Sequence, residues 1–393
     1  MKFLTILIVL FWSVIAAAAP SNLIFKKIGQ QQGLPHVTVN CIASDRHGYL
    51  WVATPDGISR YDSYGFTNYE PLASQSYNKP GIKSVVSVAG EIYAAADNIV
   101  YRYNEDTDSF EHHAIPDRNR SIRVMLSVGD NRLVLGTDHG LFSYIISDSS
   151  FSRITPRLDD PVNSIAVLDG CLYAGLSKKG VARISKDGTF SFLPLPTDTD
   201  VNELLADGRS LLIGTEGRGV FRYQPGADTI TRYHLLPSDS HVRALEFDNK
   251  KNLWAGTFNG LYIVNADGES VTNIPTGEYG ISHSSVRDIF SDNQGGVWLG
   301  TFFGGLNYYN PLNNQISSLR KGSVKGRSLN DNIVSTIVED KNHNVWIGTN
   351  NGGVNVYNPT DGSFRYYTDT DGLGSNDVKA IYIDDKTNKA YIG

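Results

Sequence analysis

The chain has 393 residues, of which 40% are hydrophobic and 19% charged, with a formal net charge of −6 and only two cysteines. That is enough apolar material for a sizeable core, and it excludes a disulfide-stapled miniprotein and a disordered, highly charged chain. The acidic balance, with a pI near 5.8, also argues against general nucleic-acid binding, which needs a strongly basic face.

The chain begins with Lys2, an apolar run Phe3–Ile15 and the small residues Ala16–Ala19. This pattern predicts a secretory signal peptide over 1–19 rather than a membrane span, because the run is short and cleavage-site alanines follow it. The mature protein is expected to be exported.

From there a single phrase recurs. It reads Leu50-Trp-Val-Ala-Thr-Pro-Asp-Gly-Ile-Ser-Arg-Tyr61 at its first appearance and returns as Leu133–Tyr144 and Leu211–Tyr223. Shorter copies are Leu253-Trp-Ala-Gly-Thr257, Val297-Trp-Leu-Gly-Thr301 and Val345-Trp-Ile-Gly-Thr349. Aligned on the small residue before the Thr, the copies fall at Ala53, Ala95, Gly136, Gly175, Gly214, Gly256, Gly300, Gly348 and Gly393, spaced 39 to 48 residues apart. A period near forty with short β-branched and aromatic runs is the signature of four-stranded propeller blades. In the first unit these runs are Val37–Ala43, Tyr49–Ala53, Ile58–Tyr61 and Phe66–Tyr69, joined by turns at Asp45–Gly48 and Pro55–Gly57.

No long stretch of the mature chain has helical periodicity, so the fold is all-β: a seven-bladed β-propeller over 20–314, then a truncated second propeller over 315–393. Phe25-Lys-Lys-Ile28 precedes the first blade and is expected to complete the seventh, because closing the ring removes exposed strand edges. Ile316–Leu319 would open the second ring in the same way. A single eight-bladed ring is the alternative. The ninth copy stops within its phrase at Gly393, which suggests a fragment of a longer product. Cys41 and Cys171 fall in blades one and four, too far apart for a disulfide, and are expected to be buried thiols. Trp51, Trp254, Trp298 and Trp346 lie in second strands and are expected in the core.

The phrases Asp45–Asp62 and Glu339–Pro359, the opening Gly33-Leu-Pro-His-Val-Thr-Val39 and the segment Thr301–Pro311 resemble the two-component regulator propeller repeat. The likeness extends from Phe25 to Gly393. The full-length family resembled is the hybrid two-component sensor of gut Bacteroidetes, a histidine kinase and response regulator in one chain. Its members have two periplasmic propellers, an immunoglobulin-like domain, one membrane helix, a kinase, a receiver and a DNA-binding domain. The resemblance implies a periplasmic sensor that detects an oligosaccharide and regulates polysaccharide-utilisation genes, dimeric at full length. It also implies membrane attachment only through a missing C-terminal part, and no direct nucleic-acid binding by this region. Nothing in this chain resembles a kinase His box, a nucleotide-binding Gly loop or a receiver Asp pocket, so no enzymatic activity is expected of it.

Repeated geometry turns equivalent positions into rings. The residue after the Val or Ile that opens each inner strand is Asn40, Lys83, Arg123, Asn163, Asn202, Arg243 and Arg287 in blades one to seven. Four cations and three amides at the channel entrance would bind carboxylates or sulfates, which suggests an anionic glycan. The plainer reading is a set of solvated or blade-bridging side chains, with Glu203 and Asp288 next door pairing with the cations. The turns between second and third strands add Arg218, Phe258, Phe302 and Phe303, the aromatics offering a platform for sugar rings or for another protein surface. The nine His are scattered without metal spacing, so no metal site, cofactor or catalytic residue is assigned. Turn carboxylates such as Asp56 and Asp138 could in principle form a glycosidase pair, but turn geometry alone favours Asp there. A secreted propeller lyase or hydrolase, or a non-catalytic protein-interaction platform, remain as alternative functions.

Overall fold

The computed structural model describes residues 23–70, 81–117, 119–277, 280–312, 319–322, 328–384, 386–387 and 389–393. The expected leader over 1–19 and most of the strand expected at Ile316–Leu319 lie outside the described residues. Two compact units are present, Met1–Asn314 and Gln315–Gly393.

Within the described residues of the first unit, strands form seven four-stranded antiparallel sheets. Blades one to six each use four consecutive strands, and blade one runs through Cys41–Ser44, Leu50–Thr54, Gly57–Tyr61 and Phe66–Tyr69. The seventh combines Val286–Ser291, Val297–Thr301 and Leu306–Tyr309 with Phe25–Ile28, which pairs antiparallel with the third of these from Phe25 opposite Tyr309 to Ile28 opposite Leu306. Each innermost strand packs on that of the next blade, and the seventh packs on the first, closing the ring.

Each residue of the recurring phrase has its own place in the blade. Its second strands are fully buried in blades one, five, six and seven. A Cβ built on Gly136, Gly175, Gly214, Gly256 or Gly300 would lie 2.6–2.7 Å from Val162, Val201, Val242, Val286 or Val39 respectively, each the valine that precedes the next blade's ring position. The glycine is therefore a socket for the neighbouring blade, and ring closure repeats the contact between Gly300 and Val39. The Thr that follows donates its hydroxyl to the carbonyl closing the next turn, as from Thr54 to Gly57 and from Thr215 to Gly219. The Trp donates its indole N–H to the Asp that shapes the preceding turn: Trp51 to Asp45 at 2.7 Å, Trp254 to Asp248 at 3.0 Å and Trp298 to Asp292 at 3.0 Å. The same Asp residues accept backbone N–H groups of their own turns, so one carboxylate fixes both the hairpin and the core indole.

The second unit contains one four-stranded sheet, Val334–Glu339, Val345–Thr349, Val354–Tyr357 and Phe364–Tyr367, and a two-stranded sheet, Ile381–Asp384 with Lys389–Ile392. Trp346 keeps its bond to Asp340 at 2.9 Å but is only partly buried, unlike Trp51, Trp254 and Trp298. It stacks on Tyr367, and the sheet beside its own has only two described strands to cover it. Cys41 and Cys171 are free and partly buried. The Cys41 thiol donates to the Val85 carbonyl, and burial with the nearby Asp288 charge pushes it well above the usual thiol range.

Candidate functional site at the channel mouth

The inner strands of blades three to seven each carry a bulge. The register slips at Ile122/Val124, Val162/Ser164, Val201/Glu203, Val242/Ala244 and Val286/Asp288. The residue left over in each case is the ring residue: Arg123, Asn163, Asn202, Arg243 or Arg287. A bulge takes one residue out of the alternation and re-aims its side chain, here toward the axis. In blades one and two, Asn40 and Lys83 stand just before the strand, with their N–H groups bonded to the Ala53 and Ala95 carbonyls. All seven ring side chains line one cavity of about 730 Å³ at the mouth of the channel.

The seven do not play equal parts. Each Asn ties its blade to the next through an amide N–H: Asn40 to the Ile82 carbonyl at 2.8 Å, Asn163 to Val201 at 2.9 Å and Asn202 to Val242 at 3.0 Å. These are the blade-bridging positions of the plainer reading. Two cations also lean on neighbours, Lys83 Nζ on Ser121 Oγ at 2.8 Å and Arg123 on Asn163 Oδ1 at 2.7 Å.

Arg243 and Arg287, in adjacent blades six and seven, differ from both groups. Their guanidinium groups lie over the rings of Phe258 and Phe302, at 5.2 Å and 5.3 Å from the centroids, which holds each planar fork by cation–π contact. Among the described residues neither has an ion-pair partner, and the buried Arg243 Nε has no hydrogen bond. Burial and the neighbouring positive charge of Arg243 hold the Arg287 guanidinium below its ordinary value. The carboxylates of the cavity are committed elsewhere. Asp200 accepts the Lys178 N–H at 2.6 Å, and Glu216 is bonded to His241 Nδ1 at 2.8 Å and to the Asn202 amide at 2.7 Å. Burial raises the Glu216 carboxyl, but the bonds from His241 and Asn202 and the charges of His241 and Arg243 outweigh it and leave it below the usual range.

The expected pairing of Glu203 and Asp288 with the ring cations does not occur among the described residues. The bulge that aims Asn202 and Arg287 at the mouth turns the next residue toward the neighbouring blade instead. Glu203 Oε1 accepts from Ser164 Oγ at 3.0 Å and from the Leu204 N–H at 3.0 Å, and Asp288 Oδ2 accepts the Ile42 N–H at 2.6 Å. Burial, aided by the charges of Asp288 and then Glu246, pushes Glu203 up to about 8, and burial pushes Asp288 up to about 7. Burial and the Asp288 charge likewise raise Glu246 to about 7. Three reluctant acids, Glu203, Glu246 and Asp288, therefore lie buried in a layer next to the ring positions. The repeat register would have shown this layer, since these positions are one and three residues past the ring.

Of the turn residues, Phe258, Phe302 and Phe303 are 49%, 42% and 63% exposed. Phe302 and Phe303 lie 5.7 Å apart, centroid to centroid, and both lie 6.4 Å from His283. His283 Nδ1 accepts the Ser285 N–H, which fixes the neutral tautomer with its proton on Nε2. Arg218 is partly buried and does not line the cavity; its carbonyl is bonded to Arg232. Among the described residues, no cluster of His, Cys, Asp and Glu has the arrangement of a metal site, and no helix is long and apolar enough to cross a membrane.

The fold and its cation-lined mouth define an all-β propeller of repeated blades. The model of the two component regulator propeller matches three segments of the chain, residues 33–56, 280–303 and 328–351. Among solved structures, the extracellular domain of the hybrid two component system BT3049 from B. thetaiotaomicron is similar, with 23% identity and a TM-score of 0.73, covering 94% of this chain and 52% of that one. That of BT4673 from the same organism has 24% identity and a TM-score of 0.64, covering 94% and 51%. This chain thus spans about half the length of those domains. Virginiamycin B lyase from Staphylococcus aureus shares the fold at 14% identity and a TM-score of 0.59, covering 73% of this chain and 98% of the lyase. A search of the curated proteins found no match.

Proposed function

We propose that this chain is a ligand-sensing region of a hybrid two-component sensor histidine kinase. It is exported to the periplasm, and its first unit receives an oligosaccharide at the channel mouth. The observation that carries the reading is the convergence of all seven ring side chains on one cavity, a polar, solvent-open receptacle with exposed aromatic rings at its edge. The likeness to extracellular domains of hybrid two component systems supports placing this chain outside the cytoplasm. In the full-length protein, ligand binding would shift the geometry of the propellers or of a dimer, and a membrane helix beyond this chain would pass the shift to a kinase that regulates polysaccharide-utilisation genes. A ligand drives such a shift only by binding one arrangement better than the other.

The test is calorimetric titration of the purified chain with size-fractionated oligosaccharides from plant and host polysaccharides, followed by analysis of the recovered sugar. Saturable binding with the sugar returned intact supports the sensor. Cleavage of the sugar would replace it with a propeller lyase or hydrolase, and no binding to any fraction would leave a protein-interaction platform.

A further inference from the structure

Resting on the channel-mouth reading, we propose that Arg243 and Arg287 form a two-armed clamp for one anionic group of an acidic saccharide, a uronate carboxylate or a sulfate ester, with the sugar ring laid against Phe303.

The other ring positions are already engaged. Lys83 and Arg123 already donate to Ser121 and Asn163, and the three amides of the ring are spent on neighbouring blades. Arg243 and Arg287 have no carboxylate partner among the described residues, and the Arg243 Nε–H is buried without an acceptor. An unpaired buried donor carries a desolvation cost that an arriving acceptor would remove. Both guanidinium groups are nevertheless held in place, one on Phe258 and one on Phe302. Two forks fixed before the ligand arrives lose little freedom on binding. Their mutual repulsion is relieved by an anion between them, so the site favours a charged guest over a neutral one. The cavity carboxylate Glu216 is bonded to His241 and Asn202 and makes no ion pair with either arginine, so its charge only partly offsets that of Arg243.

Phe303 supplies the third element. It is 63% exposed beside Phe302 and presents an aromatic face suited to the C–H surface of a pyranose. The adjacent His283 has its Nε2–H as donor for a hydroxyl, because its Nδ1 is taken by Ser285.

The experiment titrates the full chain with oligogalacturonates, chondroitin sulfate oligosaccharides and neutral malto-oligosaccharides, with inorganic sulfate as the smallest probe. Acidic sugars should bind with an affinity that falls with added salt. Arg243→Gln and Arg287→Gln should each weaken that binding at least about tenfold, as expected for loss of a charge-assisted pair. Arg287→Lys, which keeps the charge and loses the fork, should recover only part of it. Preference for oligogalacturonate assigns the carboxylate, and preference for the sulfated series, with competition by sulfate, assigns the sulfate ester. Equal binding of neutral sugars, untouched by either Gln variant, would overturn the clamp while leaving the channel mouth as a sugar site. Absence of binding by every sugar would overturn both.

Discussion

Asp288 Oδ2 accepts the backbone N–H of Ile42 at 2.6 Å, across the seam where the seventh blade meets the first. Equivalent side chains in other blades do the same work with hydroxyls: Ser84 Oγ accepts the Met125 N–H at 3.1 Å, and Ser164 Oγ accepts the Leu204 N–H at 2.9 Å. At the closing seam the acceptor in this position is an ionisable group, and this makes closure sensitive to protons.

The sign follows from the raised native values. Asp288 and Glu203 hold their protons in the folded chain up to about pH 7 and 8, whereas unfolded carboxyls release theirs near pH 4. Between those limits the native state binds more protons, so stability is full below about pH 4 and is lost as pH rises through the native values. Chemical denaturation at pH 5 and pH 8 should differ by on the order of 1–3 kcal/mol. Asp288→Asn, whose amide oxygen still accepts from Ile42, should reduce that difference and leave the part that Glu203 and Glu246 contribute. An unchanged pH profile in this variant would show that Asp288 is ionised in the native ring.

Gly256→Ala tests the socket between blades. The new Cβ would lie 2.7 Å from a methyl of Val286 and 3.0 Å from its Cβ, in a layer with no space to give. A loss of about 1–3 kcal/mol is expected, the usual cost of overpacking. Gly129→Ala, with no neighbour within 4 Å, controls for solvent exposure but keeps the strain of a positive φ. Thermal unfolding of both variants reads the comparison.

Phe25→Ala probes ring closure from the other side. Phe25 is buried and meets Trp254 edge-on at 6.4 Å and Tyr309 at 6.0 Å. Truncation should cost about 3–5 kcal/mol, and amide exchange should rise first in Leu306–Tyr309, the strand that loses its outer partner.

Asp45→Ala removes the acceptor shared by the Trp51 indole and two backbone N–H groups of its turn. Asp45→Asn retains one acceptor and should lose less. We expect about 1–3 kcal/mol for the Ala variant, with a change in tryptophan fluorescence that the Asn variant shows only weakly.

The period of forty revealed the blades because the socket must stay small to receive the neighbouring blade, a constraint that leaves Gly in five blades and Ala in the other two. The ring positions were legible for the same reason, and Phe25–Ile28 was legible as a closing strand because no other blade claimed it. Partnership was not legible. Asn40 and Arg243 occupy equivalent places in the repeat, yet the first bridges blades and the second rests on Phe258, because a short amide reaches the next carbonyl and a long guanidinium passes it. The pairing expected of Glu203 and Asp288 failed because both carboxylates are taken up by neighbouring blades, by Ser164 and by the Ile42 N–H, and the strand pattern announces neither partner. Arg218 was grouped with the aromatics by its turn, but a turn position fixes only where a side chain starts.

The pairing of Phe25–Ile28 with Leu306–Tyr309 also sets an order of events. The Phe25–Ile28 strand, which emerges during synthesis ahead of every other described strand of blades one to seven, must wait until nearly three hundred further residues have followed before its partner exists. Blades one to six can each form from local hairpins, but the circle is completed last, by the contact with the longest loop to close. A strand left waiting in this way is an open edge. Lys26 and Lys27, the two charges in the middle of that strand, are the kind of residue that keeps an unpaired edge from finding the wrong partner.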